Sequence, residues 1–171
     1  GKILVGLSVP YTGALTSAFS ITGPDSAVKV TGVEVTSGGY LLHTTRRLTL
    51  NELSDYQVVF NGLKVGIGTK DLFYSKYFAQ EYTYHGDDLG AVYSKTSTTF
   101  KVWAPTALQV HVKLFDSGNW GSGNQLQYVA MTQGSQGVWY VTITGDLHGK
   151  YYNYDVTFPT YTVEATDPYA K

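Results

Sequence analysis

Apolar and polar residues alternate along most of this chain. In the opening stretch KILVGLSVP, Ile3, Val5, Leu7 and Val9 fall on one face and Lys2, Gly6 and Ser8 on the other. A period of two marks a half-buried β-strand, because successive side chains leave opposite sides of the pleat. AVKVTGVEV repeats the pattern with Val28 and Val30, then Val33 and Val35 after a glycine step. YQVVFNG alternates and closes on Asn61-Gly62, a pair suited to the positive φ angles of a tight hairpin. NELSD reads as a polar connection with room for one short helical turn, and LLHTTRRLTL fits either a strand or an irregular loop.

The second half alternates more cleanly. Phe100 and Val102 share a face. Val110, Val112 and Leu114 share another, with His111 and Lys113 opposite. Trp139, Val141 and Ile143 form a third set, and Tyr152, Tyr154, Val156 and Phe158 a fourth. Gly, Asn and Pro clusters separate these runs, and no segment holds a 3.6-residue period over three turns. The pattern predicts an all-β chain of two tandem immunoglobulin-like β-sandwich domains. The break falls between Gln80 and Gly90, where AQEYTYHGDDLG passes from an aromatic strand to an acidic, glycine-flanked turn. That gives domains at 1–84 and 85–171.

Composition narrows the function classes. Hydrophobic residues make up 43% of the 171 and charged residues 15%, enough apolar material for a core. A formal net charge of −1 gives a nucleic-acid role no electrostatic footing. No apolar run is long enough to span a bilayer, so no membrane partner is expected. The chain opens almost directly on a strand, so no signal peptide is expected. Cysteine is absent, which removes disulfides, thiolate metal sites and cysteine nucleophiles. The 15 tyrosines suit both pleated surfaces and sugar platforms, since each joins a flat apolar ring to a polar tip.

Catalytic constellations do not emerge. Asp87 and Asp88 are adjacent; on a strand they would diverge, and in a turn they accept backbone hydrogen bonds. His43, His85, His111 and His148 stand far apart, without metal-ligand spacing. Neither a G-x-S-x-G elbow nor a GxxxxGK[ST] loop occurs. No catalytic residue, metal or cofactor is expected.

From Tyr84 onward the ordered blocks YHGDDLGAVYS, TTFKVWAPTALQVHVKLFD, MTQGSQGVWYVTITGDLHGKYYNYDV and EATDPYAK resemble carbohydrate-binding module family 48. This is the accessory domain before the catalytic barrel of type I pullulanases, debranching enzymes of glycoside hydrolase family 13. KILVGLSVPYT, LTLNEL and YSKYF resemble the sandwich that precedes that module. The resemblance implies an N-terminal accessory piece, cut before the barrel, of an enzyme hydrolysing α-1,6 linkages in pullulan, amylopectin and limit dextrins. It implies an α-glucan or maltooligosaccharide partner, the barrel as a second partner, and an extracellular location. The alternative is a scaffold that braces the barrel without sugar affinity.

Related glycogen-binding modules carry an NNW-like element whose tryptophan stacks on glucose. Trp120 in LFDSGNWGSGN stands at that place, with sugar or the barrel as its partner. Asn153 takes the position of a family lysine and Tyr161 that of a family tryptophan; both depart from the pattern. Trp139 belongs to a core alternation. In Trp103-Ala104-Pro105, Pro105 ends strand pairing and Trp103 covers an end or face of the sandwich.

Overall fold

The computed structural model describes residues 1–69, 72–119 and 123–170. The chain divides into two compact units, Gly1–Lys70 and Asp71–Lys171. In the first, strands β1 (Lys2–Val5), β2 (Phe19–Thr22), β3 (Val30–Thr36), β4 (Gly39–Thr44), β5 (Gln57–Phe60) and β6 (Leu63–Gly66) form two three-stranded antiparallel sheets. Their orders are β1-β4-β3 and β2-β5-β6. Tyr40 and Leu42 from one sheet meet Phe19 and Val58 from the other, closing a small sandwich. Burying a side chain such as Leu42 contributes about 2 kcal/mol.

The alternation read from the sequence maps onto this core except at Val9 and at Val35, which is exposed near the end of β3. Ile3, Val5 and Leu7 pack inward, but Val9 is 70% exposed because β1 ends at Val5. The glycine step is a β-bulge: the β3–β4 register shifts between Val30 and Gly32, so Val30 and Val33 both reach the core. Phe60 pairs with Leu63 across Asn61-Gly62, whose φ angles of 46° and 85° are those of a primed two-residue hairpin. LLHTTRRLTL resolves into both of its alternatives: Leu41–Thr44 complete β4, and the chain then runs irregularly to a 3₁₀ turn at Leu50–Asp55. Thr49 and Glu52 cap that turn reciprocally. Glu52 also receives the two-pronged Arg46 guanidinium at 2.9 and 3.2 Å, and Asp25 holds its other edge.

The second unit holds helix α1 (Lys76–Tyr82) and strands β7 (Gly90–Tyr93), β8 (Ser97–Trp103), β9 (Gln109–Phe115), β10 (Gln125–Ala130), β11 (Thr132–Gln133), β12 (Val138–Thr144), β13 (Tyr151–Thr157) and β14 (Thr162–Ala165). Sheets β10-β9-β13-β14 and β11-β12-β8-β7 face one another. Between them lie Phe100, Val110, Val112, Leu114, Trp139, Ile143, Tyr154 and Val156, all from the apolar sets read from the sequence.

Helix α1 corrects the aromatic strand expected before the break. The Ser75 hydroxyl caps it by accepting from the Phe78 amide at 3.0 Å. Phe78 and Tyr82, one turn apart, pack their rings at a tilt with centroids 4.9 Å apart. Phe78 packs edge-on against Trp103, and the Trp103 indole N–H donates to the Tyr82 and Gln136 carbonyls. These contacts tie α1 to the second sandwich, so the compact division comes earlier in the chain than the break at 84/85.

The Trp-Ala-Pro break is a turn with a carbonyl at its centre. Ala104 O accepts from the Ala107 amide at 3.1 Å and the Trp139 indole at 3.0 Å. Pro105 lies over Gly137, at φ 75°, where any Cβ would collide with the proline ring. Trp103 caps the strand end and stays 42% exposed.

The last described segment is fastened by a buried carboxylate. Asp167 is 6% exposed and accepts from the hydroxyls of Tyr152 at 2.8 Å and Tyr154 at 3.1 Å, and from the Tyr169 amide at 2.8 Å. Burial, with Asp167 beside them, pushes both phenols well above their usual range. Asp167→Ala leaves the buried Tyr154 hydroxyl and the part-buried Tyr152 hydroxyl without their shared acceptor. It is expected to cost about 3 kcal/mol, read as a lower urea midpoint in tryptophan emission.

In the first unit, Arg46, followed by Thr49, lowers the Glu52 carboxyl from 4.5 to about 2. A value lower in the folded state than in the unfolded one stabilises the fold above pH 4.5, and that stabilisation is lost as pH falls toward 2. Glu52→Gln is therefore expected to flatten the acid limb of first-unit stability. Amide exchange in β4 is the readout, because all three tryptophans lie in the second unit.

Candidate functional site

Cross-strand register builds one outward face in the second unit. Val110, Val112 and Leu114 turn inward on β9, so His111, Lys113 and Phe115 turn outward. On β13, Tyr152, Tyr154 and Val156 turn inward and leave Tyr151, Asn153 and Asp155 outside. Register sets Phe115 opposite Tyr151, Lys113 opposite Asn153 and His111 opposite Asp155. Strand β10 brings Tyr128 beside Lys113, and β14 brings Glu164 beside Asp155.

These groups form one connected network. The Lys113 ammonium pairs with Glu164 at 2.7 Å and Asp155 at 2.9 Å. The Asn153 amide donates to the other Glu164 oxygen at 2.9 Å. Lys113, with Asn153 helping, holds the Glu164 carboxyl below its usual range, and Glu164 in turn raises Lys113. The His111 ring stacks on Tyr128, with centroids 4.4 Å apart and planes 5° apart, and Lys113 stands 5.9 Å from the Tyr128 centroid. Burial, then Asp155, raises the Tyr128 phenol. Flat rings edged by amide and charged groups suit a neutral, hydroxyl-rich ligand with an apolar side.

Residues 88–170 match the family model of carbohydrate-binding module 48, the isoamylase N-terminal domain. The matched residues all lie in the second unit. A pullulanase of Bacillus subtilis (strain 168) is 44% identical over 94 residues, which make up 55% of this chain and 12% of that protein. The solved pullulanase of Paenibacillus barengoltzii in complex with maltohexaose and α-cyclodextrin is 35% identical, at a TM-score of 0.53, over 64% of this chain and 15% of that one. The pullulanase of Anoxybacillus sp. LM18-11 complexed with maltotetraose is 29% identical, at a TM-score of 0.66, over 90% of this chain and 22% of that one. The chain thus resembles the N-terminal accessory region of pullulanases and spans 12% of the length of the curated pullulanase it matches.

The module distributes the three residues singled out from the sequence unevenly. Trp120 lies outside the described residues. The ends of its loop are clamped where Asn124 donates to the Ser117 carbonyl and hydroxyl at 2.7 and 2.6 Å. Asn153 sits in the outward face, one row from the Phe115–Tyr151 pair beside which that loop begins. Tyr161 lies in the β13–β14 turn, 59% exposed, with its ring 4.8 Å from Phe158. From Tyr151 to Phe158 the strand runs about 23 Å, so Tyr161 and the loop occupy opposite ends of the face.

Asp88 accepts from the Tyr84 hydroxyl and the Lys101 ammonium as well as from its own backbone amide, and Lys101 is the largest influence lowering its carboxyl. Among the described residues, no three His, Cys, Asp or Glu gather as metal ligands.

Two features lay beyond sequence reasoning. The His111–Tyr128 stack and the Lys113 network depend on register between distant strands; the only signal was that His111 and Lys113 oppose the core. A cleft of about 400 Å³ between Tyr82, Tyr84, Trp103, Pro168 and Tyr169 depends on helix α1. Lys113→Ala strands two carboxylates that are largely withdrawn from solvent. It is expected to cost about 1–3 kcal/mol and to return Glu164 toward its usual titration, followed by carboxyl NMR.

Proposed function

We propose that this chain is the non-catalytic N-terminal accessory region of a pullulanase-like, α-1,6-glucan debranching enzyme of glycoside hydrolase family 13, and that its second unit binds α-glucan. The supporting observation is the outward face of β10-β9-β13-β14, where tyrosine and histidine rings lie among Asn153, Lys113 and Glu164 in a family 48 module. The apolar C–H side of a glucose ring stacks on an aromatic plane, and its hydroxyls take hydrogen bonds from amide and charged edges. A module of this kind raises the effective concentration of polymer beside the catalytic barrel. Trp120 is proposed as the stacking residue of the loop and Asn153 as a hydrogen-bonding residue; Tyr161 is proposed as an outlying contact for a longer chain.

A second reading, the module as a brace for the barrel, draws on the Trp103 cleft. Trp103 and Tyr169 line it while remaining exposed, on β8 and the closing segment rather than on the sugar-binding face proposed above. Titration calorimetry with maltoheptaose separates the two readings. Glucan binding predicts heat that Trp120→Ala abolishes and Trp103→Ala leaves in place. The absence of heat from the native chain at millimolar sugar would sink independent binding and leave the brace.

A further inference from the structure

The loop end of the outward face carries an aromatic residue that the sequence comparison with glycogen-binding modules did not single out. Tyr151 is 56% exposed at the first position of β13, directly opposite Phe115 on β9. Its backbone neighbour Lys150 forms a 2.5 Å ion pair with Asp116, the residue after Phe115. Gly118 lies against the ring: a Cβ there would come within 3.1 Å of Tyr151 Cε1. Tyr151 is thus seated beside the loop, yet over half of it remains open to solvent. The Asn153 amide, one outward position along the strand, supplies a polar group within reach of the same ligand.

We infer that Tyr151 is a second aromatic sugar contact of the module, offering its ring to a glucose unit held at the loop end of the face. This rests on the glucan-binding reading above and gives the near aromatic position to Tyr151 rather than Tyr161. A ring already seated by the loop loses little freedom when a ligand arrives, so its contact area converts efficiently into affinity.

The test is titration calorimetry of the chain with maltoheptaose, using native protein and the variants Tyr151→Ala, Tyr151→Leu and Tyr151→Phe. Tyr151→Ala and Tyr151→Leu are each expected to weaken binding about tenfold or more. Tyr151→Phe keeps the ring and is expected to stay within about threefold. Tyr151→Leu retains apolar bulk beside Gly118, so its urea midpoint is expected to match native protein. Native affinity in Tyr151→Leu would assign the ring to packing and overturn the inference, as would native affinity in Tyr151→Ala. Either result leaves glucan binding standing. No heat from the native chain would remove both the inference and the reading on which it rests.

Discussion

The pairing of β9 with β13 governs both sides of the second unit at once. Leu114 opposite Tyr152 and Val112 opposite Tyr154 are inward pairs; Lys113 opposite Asn153 and Phe115 opposite Tyr151 are outward pairs on the same strands. A slip of one residue would turn one of the two strands over. If β9 turned, Lys113 would enter the space between the sheets and Val112 and Leu114 would face water; if β13 turned, Asp155 would enter and Tyr152 and Tyr154 would face water. The cost of burying those charges unpaired, added to the lost apolar burial, holds the register. The outward face is therefore as well defined as the core, although its own contacts are individually weaker.

That coupling explains what could be read from the residues. Alternation along Val110–Leu114 and Tyr152–Phe158 reports which side chains enter the core, because burial selects apolar residues position by position. Asn61-Gly62 reports its hairpin because few pairs accept two positive φ angles. Helix α1 stayed hidden. It runs only from Lys76 to Tyr82, too short for a sustained period, and its aromatic residues also suit a strand. Its fastening to Trp103 is a tertiary effect that shifts the compact division to Lys70 and Asp71.

The proposed sugar contacts were legible in kind rather than in place. Asn153 lies on the outward face, as strand alternation requires. Tyr161 was matched by order along the chain, but chain order carries no information about how far the β13–β14 hairpin extends before it turns. Tyr151 left no trace beyond one more tyrosine in KYYNYDV, since its standing comes from Phe115, Asp116 and Gly118 on another part of the fold. The two ring-rich surfaces also sit on different sheets, with Tyr128 on β10 and Trp103 on β8, so the proposed glucan contact and the alternative brace draw on different residues.

The buried Asp167 has a mechanical meaning. A segment that merely lay on the surface would peel away under load, one backbone contact at a time. Here Tyr152 and Tyr154 grip the carboxylate from a central strand, and the Tyr169 amide is bound to the same group. Tension applied beyond Tyr169 is therefore transmitted through Asp167 into the middle of the sheet.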